Sequence, residues 1–462
     1  MSTFRRKFTM KKILLTAFLV LAVLAAACTA TAETVPAVSF AKTGGSVNGG
    51  FPYTITLKVK TALQQDLEIP LTCKETEENL TVRIPAGSTE GTAEYKTEST
   101  EKAVTRTFLI TPGDGYTQKG NNLTLKILPL PKAVFYSSVN FGYVGKTSTI
   151  NIEFRNSSNF IPGTTLQLRD QDGNVLDEKT WKSAAGLHGF KVTVTKEMTG
   201  KRLLSVWMGD QKISEKNGYG AFTDMSVKAV RQVPTQEKLV AITLDCGWYG
   251  RQMPEILPIL KKYDAHCTFF MTGFFIRTFT EEAKAALADG HEIGNHTNSH
   301  PKMAAQKNKI NRLSQLAIPN KNAMEKLGVR PRVFRPPYGD YDKELMALCR
   351  AEGMEIIIWS VDSHDWDVKG GYSKDPDKVF KRVTKKIEPG WIFLFHLDGK
   401  PTPEVLDRLI PYLQEQGYKC VTVSELLASG VMELPPLVEE GTDEFVEEDP
   451  DQDVIPVDAA EG

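Results

Sequence analysis

The sequence predicts two β-sandwich units followed by a parallel α/β barrel. Three observations carry that reading. Between residues 33 and 232, short runs alternate apolar and polar side chains and are broken by Gly, Ser and Asn, as in antiparallel strands with one buried face. From about residue 237, short apolar, β-branched runs alternate instead with amphipathic helical segments, the pattern of a parallel α/β domain. Several of these later strands end in polar groups, at Asp245, His296, Arg335, Asp362 to Asp365 and His396. The C-terminal ends of parallel strands are where α/β barrels keep their chemistry.

At 462 residues the chain has room for several domains, and 41% apolar with 24% charged residues is ordinary globular composition. A net charge of −1 argues against a nucleic-acid partner. The N-terminus carries Arg5, Arg6, Lys7, Lys11 and Lys12, then an apolar run from Ile13 to Ala27. Residues 1–32 therefore read as an export signal, with Met10 an alternative start. Two cleavage readings stand. Ala30-Thr-Ala32 fits a small-residue site before Glu33, whereas Ala25-Ala-Ala-Cys28 resembles a lipobox that would leave a lipid on Cys28. Either reading predicts an exported protein, secreted or anchored in the membrane only through that lipid. The other cysteines, Cys73, Cys246, Cys267, Cys349 and Cys420, are odd in number and irregular in spacing. They make no disulfide framework. Cys267, Cys349 and Cys420 sit in or beside apolar runs, as small core residues do.

The first β unit is expected over 33–128, with strands at 53–60, 80–84, 107–110 and 123–128. With Gly49-Gly-Phe-Pro52 before a long strand and Pro85-Ala-Gly-Ser-Thr-Glu-Gly91 in its middle, it loosely resembles Calx-β or immunoglobulin-like repeats of surface proteins. Pro129-Leu-Pro131 reads as a linker, and a second such unit is expected over 132–232, with strands at 147–154, 166–168, 190–194 and 202–207. Asp170 to Asn174 looks like a calcium loop but lacks the downstream glutamate, so a hairpin turn is expected. Both units read as spacers or binding modules. In the α/β region, 237–430, helices are expected over 253–263, 281–289, 310–327, 343–353 and 376–386. Strands are expected over 267–271, 333–334, 354–361 and 391–395, beside the buried run that begins at Leu239. Residues 433–462 are acidic and Pro-containing, without Lys or Arg, and read as a disordered tail.

The chain is organised around Leu239 to Gly250, where a buried apolar strand ends in Asp245, Cys246 and Gly247. A carboxylate and a thiol there cost free energy unless paired or bound to metal. His296-Thr-Asn-Ser-His300 spaces two imidazoles four apart, a usable metal clamp. Taken singly, Arg335-Pro-Pro-Tyr338 is a rigid turn, Asp362-Ser-His-Asp-Trp366 a loop, and Leu394-Phe-His396 a strand end with a satisfied histidine. Together and in this order they resemble the polysaccharide deacetylase family, carbohydrate esterase family four. Its patterns are T-F-D-D-G, H-(S/T)-x-x-H, R-x-P-Y, D-x-x-D-W and L-x-H, matched here over about 238–428.

The resemblance implies a distorted (β/α) barrel and a metal-dependent hydrolase that removes acetyl groups from N-acetylglucosamine-containing glycans, peptidoglycan or chitin-like. It implies Asp245 as general base, Arg335 as the cation that holds it, and His396 as general acid supported by Asp365. His296 and His300 would be metal ligands, with zinc expected and cobalt or nickel as alternatives. Tyr338 would polarise the acetyl carbonyl through its N–H. Leu394 and Trp366 would wall the methyl pocket, and Trp248 and Tyr338 would stack on sugar. The second Asp of T-F-D-D-G is the family's third ligand, and here it is Cys246. A thiolate binds zinc at about 2.3 Å and favours it over harder cations. The alternative is loss of the ligand, leaving a non-catalytic envelope glycan-binding protein. An O-acetyl esterase acting on xylan-like polysaccharide would use the same residues.

Overall fold

The structure is a computed structural model that describes residues 35–437. The export signal, Cys28 and nearly all of the acidic tail lie outside the described residues. The chain divides into two compact units. One comprises the chain up to Pro131 together with Asn156–Pro162; the other comprises Lys132–Arg155 and the rest.

In the first unit nine strands form one hydrogen-bonded path. It runs Gly44–Asn48, Leu123–Leu128, Val104–Ile110, Leu67–Cys73, Asn79–Ile84, Glu90–Lys96, Pro52–Lys58, Ala37–Phe40, Thr117–Gln118. The two terminal pairings are parallel and the others antiparallel. Strict alternation supplies the core. Ile69, Leu71 and Cys73 face inward from one strand, Ile55 and Leu57 from another, and Phe108, Leu125 and Ile127 complete the cluster.

The second unit begins with two further layers, the first antiparallel and the second antiparallel except for the parallel pairing of Val139–Tyr143 with Gly218–Thr223. One sheet joins Ala133–Phe135, Thr147–Phe154 and His188–Thr193. The other joins Val139–Tyr143, Gly218–Thr223, Gly200–Met208, Thr164–Arg169 and Val175–Trp181. The Asp170 segment is the hairpin turn between the last two strands. Its Oδ1 accepts the N–H groups of Asp172 and Asn174, at 3.0 and 2.9 Å.

Then come eight parallel strands. Seven lie in the order Glu355–Ile356, Val333–Phe334, Glu292–Asn295, Cys267–Met271, Leu239–Cys246, Ile392–His396, Val361–Asp362, and Lys419–Cys420 pairs with the start of Leu239–Cys246. Eight helices surround them, from Met253–Lys262 to Val423–Ser429. The first and last strands of this order are not bonded to each other, so the barrel is incompletely closed. The single strand expected over 354–361 is instead two short ones. Ile357 donates to Phe334, Ile358 to Val230 and Ser360 to Ile392, so successive residues serve three different neighbours and no continuous ladder forms.

The second β layer and the barrel share one core. Val139, Tyr219 and Ala221 lie in the same apolar cluster as Leu313, Leu316, Leu345, Leu348 and Ile356. Tyr219, fully buried, donates to Glu352 Oε1 at 2.7 Å, and Arg330 approaches the other Glu352 oxygen at 3.4 Å. Tyr219→Phe leaves a buried carboxylate short of a donor and should cost about 1–3 kcal/mol. Calorimetry should show the melting of residues 132–437 as one transition that shifts down as a whole. A shift confined to part of a split transition would refute the shared core.

Candidate active site

Leu239–Cys246 is the central strand, flanked in parallel register by Cys267–Met271 and Ile392–His396. Asp245 lies opposite Phe270 on one side and His396 on the other. Successive strand residues face opposite ways. Thr243 and Asp245 therefore point together, and both receive Arg335: Nη1 donates to Thr243 Oγ1 at 2.7 Å and to Asp245 Oδ1 at 2.8 Å. Arg335 is fully buried, and its guanidinium lies 4.1 Å from the Phe270 ring centroid. Burial alone would raise the Asp245 carboxyl. Arg335, with lesser help from His296 and His396, outweighs it and holds that group below the ordinary carboxylate range.

His296 Nδ1 is 2.8 Å from the Arg335 carbonyl and so carries the proton, leaving Nε2 as an acceptor 3.6 Å from Asp245 Oδ2. The His300 ring lies 5.0 Å from that of His296 and 5.0 Å from that of Tyr338. Burial lowers both imidazoles, His300 to about 3, so both are neutral near pH 7. His396 behaves oppositely. Burial would lower it, but the Asp365 carboxylate raises it to about 9. Asp365 Oδ1 lies 2.8 Å from His396 Nδ1, while Oδ2 accepts the His396 N–H at 2.8 Å and the Thr402 hydroxyl at 2.7 Å. His396 Nε2 is thus left to face the cleft.

Leu394 is buried on the strand that ends in His396, whereas Tyr338 and Trp366 are more than half exposed. The Trp248 ring packs 5.1 Å from that of Phe274. Thr297, His300, Tyr338 and His364 all have φ between 58° and 70°. A non-glycine residue there costs about 1–3 kcal/mol, strain that clusters at functional sites. Thr243, Thr402 and Asn295 hold this constellation but fall outside its reactive groups. Asn295 Oδ1 accepts the Thr297 N–H at 2.8 Å. Only the immediate neighbourhood of Asn295 and His296 in sequence could have signalled that one.

Cys246 departs from expectation. Being next to Asp245 on a regular strand, it faces the other way, into the apolar cluster with Met253, Ile256, Met271 and Phe275. Burial pushes its thiol well above the ordinary range, and its sulfur contacts the Leu244 carbonyl at 3.5 Å. Among the described residues no three of His, Cys, Asp and Glu form a metal-holding group. Two neutral imidazoles are available, but the expected set of Cys246, His296 and His300 does not fit a zinc centre. The other four described cysteines are free and buried.

This geometry joins a carboxylate held ionised, a histidine held protonated and two neutral histidines at the C-terminal end of a parallel barrel, as in a hydrolase of the acyl-transfer class. The profile of polysaccharide deacetylases matches residues 232–357. The chain is 35% identical over 201 residues to the peptidoglycan-N-acetylglucosamine deacetylase of Bacillus cereus, covering 42% of this chain and 91% of that one. It is 32% identical over 262 residues to the uncharacterized protein YlxY of Bacillus subtilis, covering 55% and 78%. The crystal structure of a family-four pseudoenzyme from Bacillus anthracis aligns with TM-score 0.41 at 33% identity, over 44% of this chain and 70% of that one. The chain belongs to the polysaccharide deacetylase family. Members of that family are generally metal-dependent hydrolases.

Two outcomes follow for the site's electrostatics. Arg335→Ala leaves Asp245 buried beside no cation and should destabilise the fold by about 3–5 kcal/mol, read by chemical denaturation; a loss below about 1 kcal/mol would contradict the pairing. The raised His396 value stabilises the folded state fully below the ordinary histidine pKa of about 6.5, and that contribution is lost as pH rises through about 9. Melting temperature should therefore fall between pH 6.5 and 9 more steeply in the wild type than in Asp365→Asn. Parallel profiles would contradict the dyad.

Proposed function

We propose that the barrel is an extracytoplasmic deacetylase that removes acetyl groups from N-acetylglucosamine-containing glycan, with peptidoglycan as its substrate. The observation that carries this reading is the opposed protonation of two groups on adjacent strands, Asp245 ionised beside Arg335 and His396 protonated beside Asp365. A hydrolytic site needs such a base and acid at one pH.

In this reading a water held by Asp245 Oδ2 loses its proton to that carboxylate as it attacks the acetyl carbonyl, and the His296 Nε2 lone pair stays available to a metal. The Tyr338 N–H takes part of the charge that develops on the carbonyl oxygen. Collapse breaks the C–N bond, His396 Nε2 protonates the departing amine, and acetate and a free amino sugar result. Leu394 and Trp366 wall the methyl pocket, while Trp248 and Tyr338 offer faces to sugar rings. Zinc, with cobalt or nickel as substitutes, is the cofactor the family resemblance suggests, and His296 and His300 are neutral as such ligands must be. With the Cys246 thiol turned away, activation of the water rests here on Asp245. Export through residues 1–32, with or without a lipid on Cys28, would put the barrel beside the wall. No helix among the described residues is long and apolar enough to cross a membrane. The β units, read as immunoglobulin-like, would then be spacers or wall-binding modules.

A second reading is favoured by one observation, the burial of Cys246 where the family has a ligand: a glycan-binding protein on the same fold without catalysis. Acetate release from peptidoglycan and chitooligosaccharides separates the two. The deacetylase reading expects turnover by the wild type, reduced at least about a hundredfold in Asp245→Asn and His396→Ala. A silent wild type that still binds glycan, keeps that affinity in His296→Ala, and gains acetate release and bound metal in Cys246→Asp would establish the second reading.

A further inference from the structure

The helix Lys309–Leu327 carries none of the reactive groups, yet Gln315 on it bonds the loop that bears both active-site histidines. Gln315 Oε1 accepts the backbone N–H groups of Asn298 and Ser299, each at 2.9 Å, and Gln315 Nε2 donates to Ser299 Oγ at 2.9 Å. One turn further on, Asn295 Nδ2 donates to the Leu316 carbonyl at 2.8 Å and to Asn320 Oδ1 at 2.9 Å. Pro319, which lacks an N–H, interrupts the helical ladder here. Within the loop the His300 N–H is held by Thr297 Oγ1 at 2.9 Å.

These bonds act on a backbone that does not hold its shape unaided. Thr297 and His300 have φ of 70° and 58°, and β-branched Thr is among the residues least suited to that region. The two amides bonded by Gln315 lie between them. Relaxation of either residue to ordinary φ would swing His300 away from His296 and from the Tyr338 ring. The helix is itself anchored. Arg312 pairs with Asp342 and Glu344 at the N-terminus of the helix Lys343–Ala351, and Leu313 and Leu316 lie in the core shared with Tyr219.

We propose that Gln315 is a positioning residue, which acts through the Asn298 and Ser299 amides to hold His300 in the site without touching substrate. The inference rests on the hydrolytic reading for its catalytic consequence, but the loop's geometry can be read independently. The test compares full-length wild type with Gln315→Leu, Gln315→Glu and Ser299→Ala. Hydrogen exchange is followed at residues 296–300, and kcat and KM for acetate release from peptidoglycan are measured in parallel. Glu keeps the acceptor for both amides, Leu removes every bond at similar volume, and Ser299→Ala removes only the third bond while leaving the helix unchanged.

In Gln315→Leu the Asn298 and Ser299 amides should exchange roughly tenfold faster or more. The kcat should fall by roughly a hundredfold, the scale of an ångström's misplacement, while KM changes less than about threefold. Gln315→Glu should restore both, and Ser299→Ala should show a smaller loss in the same direction. Unchanged exchange in Gln315→Leu, or faster exchange with unaltered kcat, would overturn the proposal. If Gln315→Leu does not fold, the ordering of Ser299→Ala and Gln315→Glu against wild type decides the matter by the same two readouts. A wild type that releases no acetate counts against the hydrolytic reading, whereas the exchange data still decide whether Gln315 holds the loop.

Discussion

The buried pairing of Arg335 with Asp245 is the constraint on which the rest of the barrel's functional end depends. Taking both ions out of water costs several kcal/mol each, offset only when geometry and further hydrogen bonds are good. Here the carboxylate receives Nη1, the same nitrogen reaches Thr243, and the Phe270 face covers the guanidinium. The pair also joins strands distant in sequence, so the end of Val333–Phe334 is tied to the end of Leu239–Cys246. The Arg335 carbonyl then fixes the tautomer of His296. One ion pair thus sets the charge of Asp245, the orientation of a histidine and the meeting of two strand ends.

Around this pair the protein maintains conformations that are individually unfavourable. Four non-glycine residues in left-handed geometry border the cleft, and the two in the histidine loop, Thr297 and His300, are restrained by neighbours outside the proposed chemistry. Asn295 and Gln315 restrain the histidine loop, and Asp365 is fastened by Thr402 and by the His396 backbone. That strain is affordable because the supporting elements are themselves buried in a core the barrel shares with the second β layer. Such support is how a site keeps its first layer of groups within tenths of an ångström of a productive arrangement.

Cys246 shows how one position can carry a different burden from its neighbour. Along a regular strand Asp245 and Cys246 must face opposite sides. The side opposite the cleft here is packed by Met253, Ile256 and Phe275, and a thiol suits that environment far better than a carboxylate does. Aspartate there would need to turn toward the histidines or bury its charge. Cysteine has no such compulsion, so the residue that distinguishes this chain from its family's pattern is stable in the core.

Much of this was legible in the order of residues. Period-two alternation located strands such as Thr147–Phe154 and Leu123–Leu128, because a half-buried sheet must alternate. The five motifs singled out Asp245, His296, His300, Arg335, Asp365 and His396, polar groups that the fold brings together at the ends of parallel strands. Other features follow from partners distant in sequence. The break of 354–361 into two short strands arises because Phe334, Val230 and Ile392 each claim a different residue of that run. The sharing of a core between the second β layer and the barrel depends on Tyr219 meeting Glu352 across 133 positions. The part played by Gln315 depends on amides that one-dimensional patterning does not see. Sequence by itself determined which side-chain chemistry stands at the strand ends and which strands alternate, since both reside in side-chain identity and local period. Tertiary structure decided which way Cys246 faces and what holds His300, since those follow from packing between elements that only the folded chain brings together.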